Sequence, residues 1–148
     1  MPDFEFRPVV LRDVSYCWTI YRDAVQPLAL ELNDWDEAAH RKKIEEALAD
    51  ADASILVENH EAAGWLHVEE TRFEIHLAHL YIEPAARNHG LGSKFMRWMN
   101  ERARRKQKNF TIEVLKNNNR ARAMAERLGF RPIDSRGNVI KLHLQAAA

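Results

Sequence analysis

The chain has 148 residues, and its 22 Lys and Arg residues equal its 22 Asp and Glu residues, so the formal net charge is zero. This balance argues against a general nucleic-acid binder, which is normally basic, although it leaves room for a local basic patch. The hydrophobic fraction of 46% excludes a disordered chain. The length predicts one domain over residues 1–148, with a core that needs no disulfide or metal.

Hydrophobic periodicity predicts ten elements along the chain. In chain order they are a strand over 4–10, helices over 14–32 and from about 36 to 49, strands over 54–58, 63–69 and 73–82, a helix over 90–106, a strand over 110–115, a helix over 118–128 and a strand over 139–144. Helices are interleaved with strands, and the middle strands form an antiparallel meander. This order implies a mixed α/β sheet with helices on both faces.

Several of the predicted boundaries carry a chemical signal. Asp13 is expected to cap the first helix, and Asp34 or Asp36 the second, because short polar side chains accept hydrogen bonds from first-turn amides. Pro27 is expected to kink or end a segment of the first helix. Gly129 is expected to stop the last helix.

The single cysteine, Cys17, has no second thiol with which to form an intramolecular disulfide. Nothing in the sequence therefore requires an oxidising compartment. No secretory signal pattern is visible, and no apolar run is long enough to span a bilayer. We expect a cytoplasmic protein without membrane contact, in which Cys17 is a small core residue.

The most informative segment is the turn between the strand over 73–82 and the helix over 90–106, which contains Arg87, Gly90 and Gly92. First-turn amides of a helix lack intrahelical acceptors, and the helix dipole favours anions there. Glycines let the backbone approach a phosphate closely. The pattern alone is also compatible with ordinary turn chemistry, but it fits neither a dinucleotide fingerprint nor a kinase-type phosphate loop.

Two motifs together resemble those of a known family. Residues 80–84 followed by 87–92 are similar to the acetyl-CoA-binding motif of GNAT acetyltransferases. Residues 118–121 running into 126–130 resemble a second motif of that family, at the usual separation. The resemblance covers nearly the whole chain and implies a small single-domain, bacterial-type N-acetyltransferase. It also implies a mixed, mostly antiparallel central sheet of six to seven strands with helices on both faces.

The resemblance implies where acetyl-CoA, the co-substrate, binds. The backbone of Leu80, Tyr81 and Ile82 is expected to pair with the pantetheine arm as an added strand. Asn118 is expected to hydrogen-bond the pantetheine region. Amides of one short segment are expected to hold the pyrophosphate, with Arg87 adding charge or fixing the loop: Asn88, His89, Gly90, Leu91, Gly92 and Ser93.

The predicted reaction needs a general base, because an alkyl amine is mostly protonated near pH 7 and must be neutral to attack a thioester. His76 stands where many members of the family carry a catalytic Glu, and Glu74 matches a Glu of some similar small bacterial members. The two share a face of their strand, since they are two residues apart. Either one is a base candidate, and the alternative is that His76 and His79 are surface or hydrogen-bonded sheet residues. His79 is expected on the other face unless a bulge intervenes.

The general acid is the one clear departure from the family. Its usual Tyr, four residues before the Gly129–Phe130 pair, is here Ala125, which cannot protonate a leaving thiolate. Tyr81 or water is expected to serve instead, or the thiolate leaves unassisted. The departure also motivates an alternative function, a non-catalytic acyl-CoA-binding regulatory domain.

The remaining polar clusters bear on metals and partners. No metal site is predicted, because the spacing of His67, His76, His79 and His89 matches no metal motif. A basic run near residues 102–108 is expected to be a solvated helix end, with an RNA or acidic partner as the minority interpretation. The family's exposed final strands often pair subunits, so a homodimer is compatible with the sequence.

The acceptor is predicted to be a cationic amine, either a small molecule or a peptide N-terminus or lysine. In the family, the segment joining the first two helices lines the acceptor site. The aromatic and acidic residues there would form an entrance that attracts a cation. They are Trp18, Tyr21, Trp35, Glu31, Asp34, Asp36 and Glu37, although capping of the second helix is the simpler interpretation of Asp36 and Glu37.

Overall fold

The computed structural model describes residues 5–87 and 90–145, without the side chain of Arg87. The strands are β1 (Glu5–Pro8), β2 (Ala53–Glu58), β3 (Glu61–Glu70), β4 (Glu74–Ile82), β5 (Asn109–Leu115), β6 (Arg131–Arg136) and β7 (Val139–Leu144). The helices are α1 (Val14–Glu31), α2 (Glu37–Ala49), α3 (Pro84–Arg87), α4 (Leu91–Arg105) and α5 (Asn119–Arg127), and a 3-10 turn, Leu11–Asp13, precedes α1. No helix in this part of the chain is both long and apolar enough to cross a membrane.

The strands form a seven-stranded sheet in the order β1-β2-β3-β4-β5-β7-β6. The pairs β1–β2, β2–β3, β5–β7 and β6–β7 are antiparallel, whereas β4 and β5 are parallel. A parallel pair requires a crossover connection, and α3 and α4 supply it between β4 and β5. The predicted mixed α/β fold, with a mostly antiparallel sheet of six to seven strands, is confirmed.

The chain divides into two compact units, one made of Met1–His67 and His79–His89 and the other of Val68–Ala78 and Gly90–Ala148. In the first unit, α1 and α2 bury their apolar faces against β2 and β3. The buried residues of this core are Cys17, Trp18, Tyr21, Ile44, Leu48, Ile55 and Trp65. The indole nitrogen of Trp65 donates to the carbonyl of Cys17 at 3.1 Å, which satisfies a buried polar atom. Cys17 is fully buried, as predicted.

In the second unit, α4 provides the main apolar face. Its residues Leu91, Phe95 and Met99 are buried. Strands β5 and β7 contribute buried apolar residues of their own, and the Phe110 ring meets the Phe130 ring edge-on with centroids 5.2 Å apart. Each fully buried side chain of this size stabilises the fold by about 1.5–3 kcal/mol.

The structure corrects one helix-boundary prediction. Asp13 occupies the position before α1, but its side chain caps nothing there; it accepts from the Val10 amide at 2.8 Å and from both terminal nitrogens of Arg7 at 2.8 and 2.9 Å. Helix α1 continues through Pro27 to Glu31, close to the predicted range 14–32, so the proline does not end it, and a kink at Pro27 stays a prediction. The predicted choice between Asp34 and Asp36 resolves to Asp36, whose carboxylate accepts from the Ala39 amide.

Two elements escaped the sequence prediction. Strand β6 is exposed along its whole length and contains Pro132, so it lacks the alternation that marks a half-buried strand. It exists because it pairs with β7 across the turn at Gly137, whose φ of +56° favours glycine. Pro84 follows the end of β4 as predicted, and it also opens the short helix α3, a position where its missing N–H costs nothing.

Candidate active site

Gly90 and the first turn of α4 present free space and backbone donors in the part of this segment that is described. Gly90 precedes the helix in the left-handed region, with φ +67°. Apart from its own neighbours along the chain, a methyl group placed on Gly90 or Gly92 would meet no atom within 4 Å among the described residues. The first helical hydrogen bond runs from the Lys94 amide to the Gly90 carbonyl at 3.0 Å, so the amides of Leu91, Gly92 and Ser93 precede the helical ladder.

These features fit a diphosphate, which needs unobstructed space and several convergent N–H donors at the positive end of a helix dipole. The predicted contributions of Asn88, of His89 and of the Arg87 side chain lie outside the described residues and stay predictions.

The catalytic candidates Glu74 and His76 are brought together by a residue that the sequence did not single out, Thr111. The parallel register of β4 and β5 places Thr111 directly opposite His76. The Thr111 hydroxyl lies 2.7 Å from Nδ1 of His76 and donates to the Glu74 carboxylate. The three side chains therefore form one continuous hydrogen-bonded chain across two strands.

Further charged groups flank this chain. The Lys141 ammonium on β7 lies 3.3 Å from the Glu74 carboxylate, and Nε2 of His76 lies 3.7 Å from the Glu113 carboxylate on β5. Burial opposes ionisation of Glu74, but hydrogen bonds from Thr111 and Lys141 outweigh it and hold its pKa below the ordinary value. A carboxylate so stabilised is a poor proton acceptor at neutral pH, whereas histidine ordinarily titrates in the right range.

Tyr81 lies in the first unit and is surrounded by aromatic rings. Its hydroxyl is 2.8 Å from Nδ1 of His79, and the rings of Tyr21 and Trp65 lie 5.2 and 5.1 Å from its own. Burial, and then the nearby Tyr21, raise the pKa of Tyr81 well above its ordinary value, so the phenol keeps its proton at neutral pH. Such a group can donate a proton but not accept one.

The backbone of Tyr81 is approached closely by Gly64. A methyl group on Gly64 would overlap the carbonyl oxygen of Tyr81. Glycine at this position therefore lets β3 lie against the end of β4, where the Glu83 amide donates to the Ala63 carbonyl at 2.8 Å.

The second motif places Asn118 at the start of α5. Its side-chain oxygen accepts from the Ala121 amide at 3.1 Å, so it caps the helix. Its amide NH₂ group has further donor capacity, which the predicted contact with pantetheine requires. Ala125, where the resembled family carries Tyr, is fully buried within α5.

The structure does not support the predicted aromatic entrance for the acceptor. Trp18 and Tyr21 are buried in the core, where packing against α2 holds them. The rings of Trp18 and Trp35 stack with centroids 6.1 Å apart. The Arg41 guanidinium lies 5.3 Å from the centroid of the Trp18 ring, so a cation already occupies that ring face. Trp18 and Tyr21 are therefore core residues, whereas the part of Trp35 and of the acidic residues in an acceptor entrance stays a prediction.

The histidines do not assemble a metal site in the part of the chain that is described. The rings of His67 and His79 stack with centroids 6.1 Å apart, and Nε2 of His67 lies 3.3 Å from the exposed Asp50 carboxylate. Among residues 5–87 and 90–145, no three potential ligands lie together so as to hold a metal ion.

Residues 16–130 match the sequence profile of the acetyltransferase (GNAT) family, and this match spans more than half of the chain. The chain therefore belongs to the GNAT acetyltransferase family. It is an acetyl-CoA-dependent acetyltransferase, which agrees with the open donor-rich turn before α4. No protein of curated function matched the sequence.

Solved structures of similar fold extend the comparison. The ribosomal-protein-S18-alanine N-acetyltransferase of Escherichia coli is 17% identical with TM-score 0.69, and the alignment covers 98% of this chain and 96% of that one. PaiA N-acetyltransferase of Thermoplasma acidophilum, in complex with coenzyme A, is 13% identical with TM-score 0.71, covering 97% and 99%. The yncA protein of Salmonella typhimurium, with its cofactor acetyl-CoA, is 20% identical with TM-score 0.62, covering 99% and 95%. At these identities the similarity establishes the fold alone.

Proposed function

We propose that the protein transfers the acetyl group of acetyl-CoA to a primary amine, by direct attack of the amine on the thioester. The observation that carries this proposal is the chain Glu74–Thr111–His76, which lies in the same unit as the open turn at Gly90. The turn fits the diphosphate of the co-substrate, and the hydrogen-bonded chain supplies a proton acceptor, the two requirements of the reaction.

In this proposal His76 is the general base and Glu74 is its support. An acceptor amine arrives mostly as an ammonium ion, and His76 takes one proton from it. Glu74 is ill suited to that task, because its carboxylate already accepts from Thr111 and pairs with Lys141. Its fixed negative charge instead stabilises the imidazolium that forms.

The co-substrate supplies the activated acetyl group as a thioester, and the chain's own groups hold it. The backbone of Leu80, Tyr81 and Ile82 is proposed to pair with the pantetheine arm, and Asn118 to bond it. The amides of residues 88–93 are proposed to hold the diphosphate. Tyr81 is the candidate donor to the leaving thiolate, since its phenol stays protonated.

The acceptor class is proposed as the amine of a small molecule or of a peptide or protein. The Escherichia coli protein of this fold is a ribosomal-protein-S18-alanine N-acetyltransferase. This similarity supports a peptide or protein amine as the acceptor. A cytoplasmic location, a single domain and a possible homodimer stay predictions from the sequence.

A second candidate function is a non-catalytic acyl-CoA-binding regulatory domain. It is favoured by the buried Ala125, which stands where the family carries its proton donor. The two candidates are separated by incubating the chain with acetyl-CoA and a panel of small amines and peptides. We expect free thiol and acetylated amine to appear in equal amounts. Saturable acetyl-CoA binding without acetylation of any amine in a broad panel would favour the regulatory domain.

A further inference from the structure

The hydroxyl of Thr111 stands between a carboxylate and an imidazole and has only one proton to give. Thr111 is 3% exposed, so water does not compete for this hydroxyl. Its oxygen touches the Glu74 carboxylate on one side and lies 2.7 Å from Nδ1 of His76 on the other. The direction of each hydrogen bond can therefore be worked out from donor and acceptor capacity alone.

The first bond has only one possible direction. An ionised carboxylate accepts hydrogen bonds and has no proton to donate. Glu74 is ionised at neutral pH, since Thr111 and Lys141 both stabilise its charge. The Thr111 hydroxyl proton is thus committed to Glu74.

The second bond then follows from the first. Having given its proton to Glu74, the Thr111 oxygen can only accept from His76, so Nδ1 of His76 must carry a hydrogen. The opposite arrangement would place two lone pairs against each other at 2.7 Å. In a neutral imidazole with hydrogen on Nδ1, the free lone pair is on Nε2.

We infer that Thr111 is a positioning residue that holds His76 in the Nδ1–H tautomer and thereby makes Nε2 its basic atom. The catalytic consequence rests on the proposed function, because it assigns the proton transfer to a particular nitrogen. One proton passes from the acceptor ammonium to Nε2, the amine nitrogen regains its lone pair, and the neutral imidazole becomes an imidazolium.

The environment of Nε2 suits that change of charge. The Glu113 carboxylate lies 3.7 Å from Nε2, on the side where the new proton arrives. Four titratable groups surround His76: Glu74 on its own strand, Glu113 on β5, and Lys141 and His143 on β7. In the register of β5 against β7, Lys141 lies opposite Glu113 and His143 lies opposite Thr111. Two carboxylates thus face one lysine and one further histidine around this ring.

Long-range ¹H–¹⁵N NMR of the histidine rings measures the tautomer directly. The ring signals of His76 are identified as those that disappear from the spectrum of His76→Gln. We expect the wild-type chain to show hydrogen on Nδ1 and a free lone pair on Nε2. Thr111→Val removes the hydroxyl at constant shape and should populate the Nε2–H form. Thr111→Ser keeps the hydroxyl and should restore the wild-type pattern. A wild-type ring protonated on Nε2, or an unchanged tautomer in Thr111→Val, overturns the inference.

Kinetics provide the second measurement. With an accepted amine, Thr111→Val should lower kcat roughly ten- to a hundredfold, the scale seen when the partner orienting a histidine is removed, while acetyl-CoA affinity stays unchanged. Thr111→Ser should recover most of the activity. Equal activity of Thr111→Val and wild type would refute the catalytic consequence. The wild-type NMR spectrum requires neither turnover nor a folded variant. If the chain acetylates no amine, the proposed function is therefore refuted, while the tautomer assigned from the spectrum remains valid.

Discussion

The hydroxyl of Tyr81 lies 2.8 Å from Nδ1 of His79, two residues earlier on the same strand. The pair is packed against Trp65 and Tyr21, which hold the phenol in one place. Because burial raises the pKa of Tyr81, the phenol stays protonated throughout the neutral range. A donor to a leaving thiolate must carry a proton, which this phenol does, although the raised pKa also makes it a weaker acid.

Tyr81→Phe should lower turnover by about a hundredfold, the lower end of the range for general acid catalysis. Acetyl-CoA affinity should change little, because the proposed pairing with pantetheine uses the backbone of this residue. Tyr21→Phe is the matched control, since it also removes a buried hydroxyl, one that lies 2.7 Å from Nδ1 of His40. Equal turnover losses in the two variants, measured as kcat at saturating acetyl-CoA, would remove Tyr81 from the mechanism.

Gly90→Glu should abolish measurable acetyl-CoA binding, because it places a carboxylate where the diphosphate is expected and adds a side chain to the open turn. Gly137→Glu is a close control. Both glycines have positive φ, +67° and +56°, and a methyl group added to either would meet no atom within 4 Å among the described residues beyond its chain neighbours. Both variants should therefore lose similar stability, about 1 kcal/mol. Calorimetric titration should separate them; equal affinities would contradict the diphosphate assignment.

Gly64→Ala should destabilise the chain by about 1–3 kcal/mol, the usual cost of overpacking. The added methyl overlaps the carbonyl of Tyr81, and backbone atoms cannot rotate away as a side chain does. Gly92→Ala serves as the control, since its methyl enters open space in the first turn of α4. Denaturant unfolding of both variants measures the difference, and a Gly64→Ala midpoint equal to wild type would show that β3 and β4 can shift apart at this point.

Asp13→Ala should cost about 1–3 kcal/mol at pH 7, because it removes the acceptor of two Arg7 hydrogen bonds and of the Val10 amide. The Asp13 side chain is 8% exposed but that of Arg7 is 37% exposed, so screening lowers the ion-pair share. Asp23→Ala, which removes an ion pair with a 63% exposed carboxylate, should cost almost nothing.

The Asp13 contribution should also depend on pH with a defined sign. The hydrogen bond from Arg7 holds the pKa of Asp13 below its ordinary value in the folded chain, although burial opposes this. Its stabilisation is therefore complete above the unfolded pKa of about 3.9 and is lost as the pH falls through the folded pKa. The stability difference between wild type and Asp13→Ala should shrink below about pH 4, and a constant difference from pH 7 to pH 2 would contradict the assignment.

The comparison of sequence and structure shows which features local patterns encode. The amphipathic helices and the half-buried strands were predictable, because their apolar residues recur with the period of the element. Strand β6 has no such period, since it is exposed throughout and owes its existence to pairing with β7. The role of Asp13 was missed for a similar reason, because its partner Arg7 lies on β1 and not in the helix.

Some features of the candidate site could likewise be predicted from local patterns, and one could not. The shared face of Glu74 and His76 follows from alternation along one strand, and the open turn at Gly90 follows from its glycines. The contact that links the two side chains depends on the register of β4 against β5, which no local pattern specifies. Thr111 was therefore invisible in the sequence, although it decides which nitrogen of His76 is basic.

Calorimetric titration of the folded chain with acetyl-CoA tests the central claim most directly, because every proposed role depends on the co-substrate being held at the turn before α4. We predict saturable binding with a stoichiometry of one acetyl-CoA per chain, and competition by coenzyme A at the same site. Folded protein that takes up neither compound at millimolar concentration would contradict the account.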